Sequence, residues 1–514
     1  MYPNLVSNST CYFFSFVTDC SVFRMLFCHA VQCTPFVQMI SVRTLLNTLH
    51  ARKFENFLEK IAHFGALLSC LIFTIAAVTV SLTRFWQFET QYYDFGIFDV
   101  AIREVAKFQP PIIDHFIVED KWIFADHFHP AIFLLSPLYW FTNRSEVLLI
   151  AQAVAVGLSG VVLYRCAQLL LKKNTLSLAV VLSYFLFVGL QNALITDFHE
   201  ITVMTLPLML CYFAVISGRK KLFVAMFVLT LAFKELLFPL GLGLAFFVYR
   251  YRPEWKKLAI STATYALLWG VITIKFVIPA FAGGSYQYAP TSHSFTEFLS
   301  QFFTPIIKLK TTFNVLWSFL FLPLLSLPTL PILVMNFAMR FLSGSTNHWD
   351  LGFHYNAEIA PTLAISAAFG LAALQKKYSP KVVLFVAGLL ILNSAFLYRV
   401  MFRGPLALSY NPAFYAHTKD FKYLNDFLAK VPLQKNVMTQ NNLAVRFTDR
   451  KVKLLRDGYE TYQPELVVLD LREGQNLNNF MGVKDVKNVL ARLLVDPNYR
   501  VIYQQADQYI FEKK

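Results

Sequence analysis

The sequence predicts an α-helical polytopic membrane protein of about 11 transmembrane helices, followed by a small C-terminal α/β domain. Three observations predict it. Of 514 residues, 56% are hydrophobic and 15% charged, where soluble globular proteins carry roughly 25% charged residues. Apolar runs alternate with hydrophilic gaps that are by turns basic and rich in acid and histidine. Beyond about Arg403 the runs give way to short alternating strand and helix patterns.

Each element follows in order. Met1 to roughly Gln38 is apolar but broken by Asp19, Arg24 and His29, without the basic start and cleavage site of a signal peptide. It reads as an over-extended start, with Met39 an alternative initiator. From Ile40 to Ile61, leucines and phenylalanines face Arg43, Arg52, Lys53 and Lys60, the pattern of a basic amphipathic helix on the cytoplasmic surface. Residues 1–60 are therefore read as a cytoplasmic segment and 61–402 as the transmembrane domain, with a large first outer loop over 83–130.

The spans are placed at Ile61–Leu82, Val147–Leu171, Leu176–Ile195, Ile201–Ile216, Leu222–Phe233, Leu236–Tyr249, Leu258–Phe281, Phe313–Leu327, Leu330–Leu342, Tyr355–Leu374 and Val382–Tyr398. The run Pro130–Phe141 is too short to cross and reads as re-entrant or interfacial. Lys172-Lys173, Arg219-Lys220-Lys221, Arg250 to Lys257 and Lys376-Lys377 then fall on one side, which the positive-inside rule makes cytoplasmic. The acid and histidine clusters fall on the other. Residues 403–514 follow an odd number of spans and are expected outside, with strands at Asn436–Thr439, Lys451–Leu455, Leu466–Leu471, Arg500–Gln504 and Tyr509–Glu512.

The net charge of +15 sits in the short basic gaps, not in a patch interleaved with aromatics, so a nucleic-acid partner is excluded. The seven cysteines form no disulfide framework or zinc spacing.

The chemistry-bearing residues lie in the outer gaps. Asp94 and Asp99 flank the start of an amphipathic helix, Ile97 to Phe108. Each either caps that helix or, shielded by aromatics at the bilayer surface, serves as a general base. Asp126-His127-Phe128-His129-Pro130, Asp197-Phe198-His199-Glu200, and His348-Trp349-Asp350 with His354-Tyr355 pair imidazoles with carboxylates. Those residue types suit phosphate binding, proton transfer or a divalent metal, which is left open for want of a metal-ligand spacing. Lys234-Glu235 interrupts apolar sequence at an outer turn, either as a mutual ion pair or with Lys234 holding a lipid phosphate.

Tyr93-Asp94-Phe95-Gly96-Ile97-Phe98-Asp99, the Asp126 to Pro130 segment, Asp197-Phe198-His199, Phe233-Lys234-Glu235 and the His354-Tyr355 region together resemble the bacterial and archaeal DUF2079 family of predicted membrane proteins. The resemblance runs from roughly Tyr93 to the carboxyl terminus. That family is grouped with the GT-C glycosyltransferase superfamily, whose members use polyprenyl-phosphate-linked sugars and place an essential acid in the first outer loop. The resemblance implies an integral protein of the bacterial or archaeal inner membrane, while the basic flank before Ile61 and the odd number of spans lead to the expectation of a cytoplasmic N-terminus and an extracytoplasmic C-terminal domain. It implies Asp94 as the base for an acceptor hydroxyl, Asp99 as the alternative, and Lys234 on lipid phosphate. His127, His129, Asp197, His199, Glu235, His354 and Tyr355 would line the cleft. Many relatives carry a second acid after the position of Glu235, where this chain has Leu236. The expected partners are the lipid-linked sugar, membrane lipid and an unidentified acceptor. Two rival readings stand beside this one: a transporter of a polar or anionic solute, and a non-catalytic membrane scaffold.

Overall fold

The computed structural model describes residues 40–115, 119–288, 294–472 and 481–514. The expectations placed on residues 1–38 and on Met39 lie outside the described residues, as do the side chains of residues 40–52. The chain forms two compact units, Met1–Phe57 and Leu58–Lys514. In the first, the described backbone is helical from Ile40, the start of α1 (Ile40–Trp86). The second unit holds the transmembrane helices and the C-terminal sheet clustered together.

After α1 a single π-helical turn, Tyr92–Gly96, leads into α2 (Ile97–Ala106), and β1 (Ile112–Ile113) pairs antiparallel with β2 (Lys121–Trp122). The Pro130–Trp140 run, with Pro137 inside it, is a 3-10 helix too short to cross, as expected. Then come α3 (Glu146–Leu171), α4 (Asn174–Leu186), α5 (Val188–Ile195), α6 (Glu200–Val203), α7 (Thr205–Ile216), α8 (Lys220–Leu231) and α9 (Phe238–Tyr251). α10 (Lys256–Ile272) continues through a π-turn into α11 (Ile278–Ala282), and α12 (Phe295–Gln301), α13 (Ile306–Trp317), α14 (Leu330–Phe341), α15 (Ala360–Gln375) and α16 (Pro380–Phe396) complete the bundle.

Among the described residues, five helical stretches are long and apolar enough to cross a membrane, or six if the pair α4–α5, bent by 47°, is one span. That is fewer than the eleven expected from hydropathy. α7, α8, α9 and α14 are apolar but only 12 to 14 residues long, short of the roughly 20 residues a straight crossing takes. The stretch expected as one span at Phe313–Leu327 is also corrected. Helix α13 starts earlier and stops at Trp317, because Leu320 and Phe321 both adopt left-handed backbone (φ 49° and 55°).

Helices α3, α7, α9 and α15 each begin next to an acid- or histidine-bearing segment and end in a basic turn, so the bundle has two chemically distinct ends. At the basic end Gln375 donates to the Leu171 carbonyl (3.1 Å), and Arg252 donates to the Val215 and Ile216 carbonyls (2.9 and 2.7 Å). There too the Glu59 carboxylate accepts from Thr175 Oγ1 (2.8 Å) and the Asn174 amide.

The C-terminal sheet contains β3 (Val437–Thr439), β4 (Val452–Leu454), β5 (Leu466–Asp470), β6 (Tyr499–Gln505) and β7 (Gln508–Lys513), each close to its expected position. Their order is β4-β3-β5-β7-β6, with β3 parallel to β4 and β5, and β7 antiparallel to β5 and β6. The helix Val483–Val495 covers the sheet, burying Val486, Val489 and Leu493 with Val467, Leu469 and Phe511. The sheet docks on the first loop. Asp114 accepts from Arg456 (2.8 and 2.9 Å) and from the Leu454 amide (2.9 Å), and the Tyr93 amide donates to Asn441 Oδ1 (2.9 Å).

Candidate active site at the acidic end of the bundle

The π-turn sets the position of Asp94. Tyr92 and Phe95 are buried on its inner side. A Cβ at Gly96 would stand 2.3 Å from the Tyr92 ring, so only glycine lets that ring pack beneath the turn. Asp94 is thereby turned outward, its side chain 42% exposed, with Oδ1 3.8 Å from His199 Nε2. This is a charge contact, longer than a hydrogen bond. Neither Asp94 nor Asp99 caps α2, whose N-cap is Gly96 with no side-chain bond.

Asp99, expected as the alternative base, stands apart from this opening. It is fully buried and accepts from Arg103 Nε (3.2 Å), Ser145 Oγ (2.7 Å), Tyr139 and Thr448. Its lone pairs are committed to joining α2 to the Pro130–Trp140 turn, α3 and the C-terminal region.

The turn between α5 and α6 carries Asp197 in left-handed backbone (φ 48°) and His199. Gln152 of α3 clamps it, donating to the Asp197 carbonyl (2.9 Å) and accepting from the His199 amide (2.8 Å). Asp197 Oδ2 accepts from the Gln91 amide (2.9 Å). Burial, and after it the charge of Asp94, push the Asp197 carboxyl up to about 7. His199 Nδ1 lies 2.7 Å from the Thr196 carbonyl. That carbonyl can only accept, so Nδ1 carries hydrogen and Nε2 faces Asp94. Burial opposes a charge on this ring, but Asp94, Glu200 and Asp197 outweigh it and shift His199 upward.

The His199 ring stacks on His354 (3.5 Å between centroids), and tilted ring contacts continue from His354 to Tyr355 (3.9 Å, 45°) and from Tyr355 to His348 (3.6 Å, 32°). Across from this column Lys234 donates to Glu200 Oε1 (2.8 Å), while Glu235 Oε1 meets His127 Nδ1 (2.7 Å) and the Tyr286 hydroxyl (2.7 Å). Lys234 and Glu235 are thus each paired with another residue, so of the two readings left open for that turn the mutual ion pair is not the one formed. The Phe128 amide completes the Glu235 contacts at 3.0 Å. Burial and Lys234 work against a charge on His127, but Glu235 and Asp126 prevail and raise it. His129 is buried with Nδ1 unpartnered, and burial holds its pKa down to about 4. Tyr288 stacks on His127 (4.5 Å), and its hydroxyl donates to Asp126.

The structure therefore brings together Asp94, Asp197, His199, His354 and Tyr355, with Lys234, Glu235 and His127 in a neighbouring pair of ion contacts. Three contributors were missed in the sequence. Gln152 lies inside an apolar span, Tyr286 in a loop without a motif, and Glu358 beside the His354-Tyr355 pair. Glu358 is 95% buried (relative exposure 5%) and has no hydrogen-bond partner among the described residues. Its signal was an isolated acid at the head of an otherwise apolar span. Among the described residues, no group of three or more His, Cys, Asp or Glu side chains is placed to hold a metal ion.

With this geometry in view, a family model described as "Predicted membrane protein (DUF2079)" matches residues 84–510. The chain belongs to the DUF2079 family. No curated protein matches it. Among solved structures, this DUF2079 protein is similar to that of ArnT from Cupriavidus metallidurans, which was crystallised bound to undecaprenyl phosphate. The TM-score is 0.50 at 13% identity, covering 86% of this chain and 97% of that one. At that identity the likeness is one of fold, and it makes the fold of the DUF2079 protein GT-C-like, a helical membrane bundle with a small C-terminal sheet domain.

Proposed function

We propose that this DUF2079 protein transfers a sugar from a polyprenyl-phosphate donor to an acceptor hydroxyl at the outer face of the membrane. The observation that carries the reading is the state of Asp94. It is the half-open carboxylate of a chamber in which Glu200 and Glu235 are held by Lys234 and His127, and Asp99 is sealed away. A base must reach the proton it removes, and Asp94 is the acid free to do so.

In the proposed step the acceptor oxygen attacks the anomeric carbon as its proton passes to Asp94. The bond from that carbon to the phosphate oxygen breaks, and the polyprenyl phosphate leaves with the electron pair. The configuration inverts. Lys234 and protonated His199 offset negative charge on the departing phosphate. The likeness in fold to a protein solved with undecaprenyl phosphate supports the donor class. The gathering of the polar groups at one end of the bundle favours transfer over transport, which would require a path through its depth.

The test is lipid and glycan analysis of a deletion strain complemented with wild-type protein or with Asp94→Asn. The deletion is expected to accumulate a polyprenyl-linked sugar and lose a glycan. Asp94→Asn, inserted at normal levels, should fail to restore either, a loss of at least about 100-fold in transfer for a removed general base. Full rescue by Asp94→Asn would sink the proposal.

A further inference from the structure

Cations are not confined to the basic end of this bundle: Arg103, Lys234, Lys308 and Arg340 lie toward the chamber end, each held by a carboxylate or a carbonyl. The final long apolar stretch runs Pro380–Met401, and Arg399 and Arg403 stand at its far end, on the side from which the C-terminal region begins. With Tyr410 and Asn411 they line a cavity of about 520 Å³ that contains none of the chamber residues.

This cavity opens beside an exposed apolar surface. Phe396, Val400 and Met401 are all exposed beside Arg399, and most of the stretch is not buried within the protein. A guanidinium rising from such a surface needs an anion, because exposed apolar neighbours supply no acceptor. Neither Arg399 nor Arg403 makes a hydrogen bond or ion pair with another described residue. The turn that presents them is held firmly. The Gly404 amide donates to the Tyr398 carbonyl (2.7 Å), and the Leu406 amide donates to Gln191 Oε1 of α5 (3.2 Å). Arg403 itself is fixed in left-handed backbone (φ 50°). Two unpaired forks on a rigid turn match a phosphate, whose oxygens accept from guanidinium in pairs.

We infer that Arg399 and Arg403 form a binding site for the phosphate of an anionic membrane lipid, separate from the chamber around Asp94. At its rim Tyr410 bonds to Tyr398, and Asn411 Oδ1 caps the next helix by accepting from the Ala413 amide (3.1 Å), so recognition rests on the two arginines. The site requires no chemistry, and its test is independent of the transfer reaction.

The full-length protein, reconstituted in nanodiscs of phosphatidylglycerol and phosphatidylcholine, would be released into native mass spectrometry. Phosphatidylglycerol should remain bound and phosphatidylcholine should not. Arg399→Gln/Arg403→Gln should lower the retained phosphatidylglycerol about tenfold. Lys376→Gln/Lys377→Gln, at the opposite end, should leave it unchanged. Equal retention of the two lipids by the wild-type protein overturns the inference without any variant. So does equal loss in the two double variants, or displacement of the lipid by inorganic phosphate at equal concentration, which would assign the site to a free anion. A double variant with lysine at both arginine positions guards against misfolding, and should keep the lipid in part while preserving the thermal midpoint.

Discussion

Asp197 holds its carboxyl in a turn where burial and the neighbouring Asp94 both oppose ionisation, pushing it from an ordinary 3.8 up to about 7. The folded chain thus binds this proton more tightly than the unfolded chain does. The resulting stability is present in acid and is lost as pH rises from about 4 through about 7. Asp197→Asn keeps an acceptor for the Gln91 amide and tolerates the left-handed backbone. Its thermal midpoint should exceed that of the wild type at pH 8, and the gain should vanish near pH 4. A constant difference across that range would refute the assignment. Asp99 behaves differently, since four donors converge on it. Asp99→Ala leaves Arg103 buried without its carboxylate and should cost about 3–5 kcal/mol of stability, read by thermal unfolding in detergent. The contrast between Asp94 and Asp99 was not legible in the sequence. Both lie in the same motif, five residues apart, and only the packing of Tyr139, Ser145 and Thr448 around one of them separates an open acid from a sealed one. The histidine and acid clusters were legible, because ionisable groups between apolar runs have few structural reasons to be there.

At the scale of the element, the bundle is held by close approaches that hydropathy does not report. A Cβ at Gly370 of α15 would lie 2.4 Å from the Leu322 carbonyl oxygen, whereas one at Gly388 of α16 meets nothing within 4 Å. Backbone cannot yield as a side-chain tip can, so Gly370→Ala should separate α15 from the Leu322–Leu325 turn. It is expected to lower the thermal midpoint sharply, with Gly388→Ala unchanged; equal midpoints would show that the turn adapts. The same segment explains why the number of spans was not readable. Hydropathy registers apolar length, and the run through Phe321 stays apolar while its backbone turns left-handed. The five strands were readable to within two residues, because their β-branched runs are bounded by turn residues and no lipid blurs the alternation.

Across the whole molecule, the C-terminal sheet and the first loop share an apolar core and are tied at its edge by a cluster of charges. Asp114 gathers Arg456, Lys453 (3.4 Å) and the Leu454 amide. Asp114→Ala removes all of these acceptors together. Proteolytic cleavage in the sheet region should then speed up about tenfold or more, with the helices still protected. An unchanged cleavage rate would place the holding force elsewhere. One consequence concerns synthesis. The amide of Tyr93 finds its acceptor on Asn441, 348 positions later, and Asp99 meets Thr448 after a similar interval. The segment bearing Asp94 emerges from the ribosome early, yet its partners are made last. Until translation is nearly finished, the Asp94 carboxylate has no finished wall behind it. A chain stopped short of Asn441 would insert its helices and still lack the contacts that back the Asp94 turn.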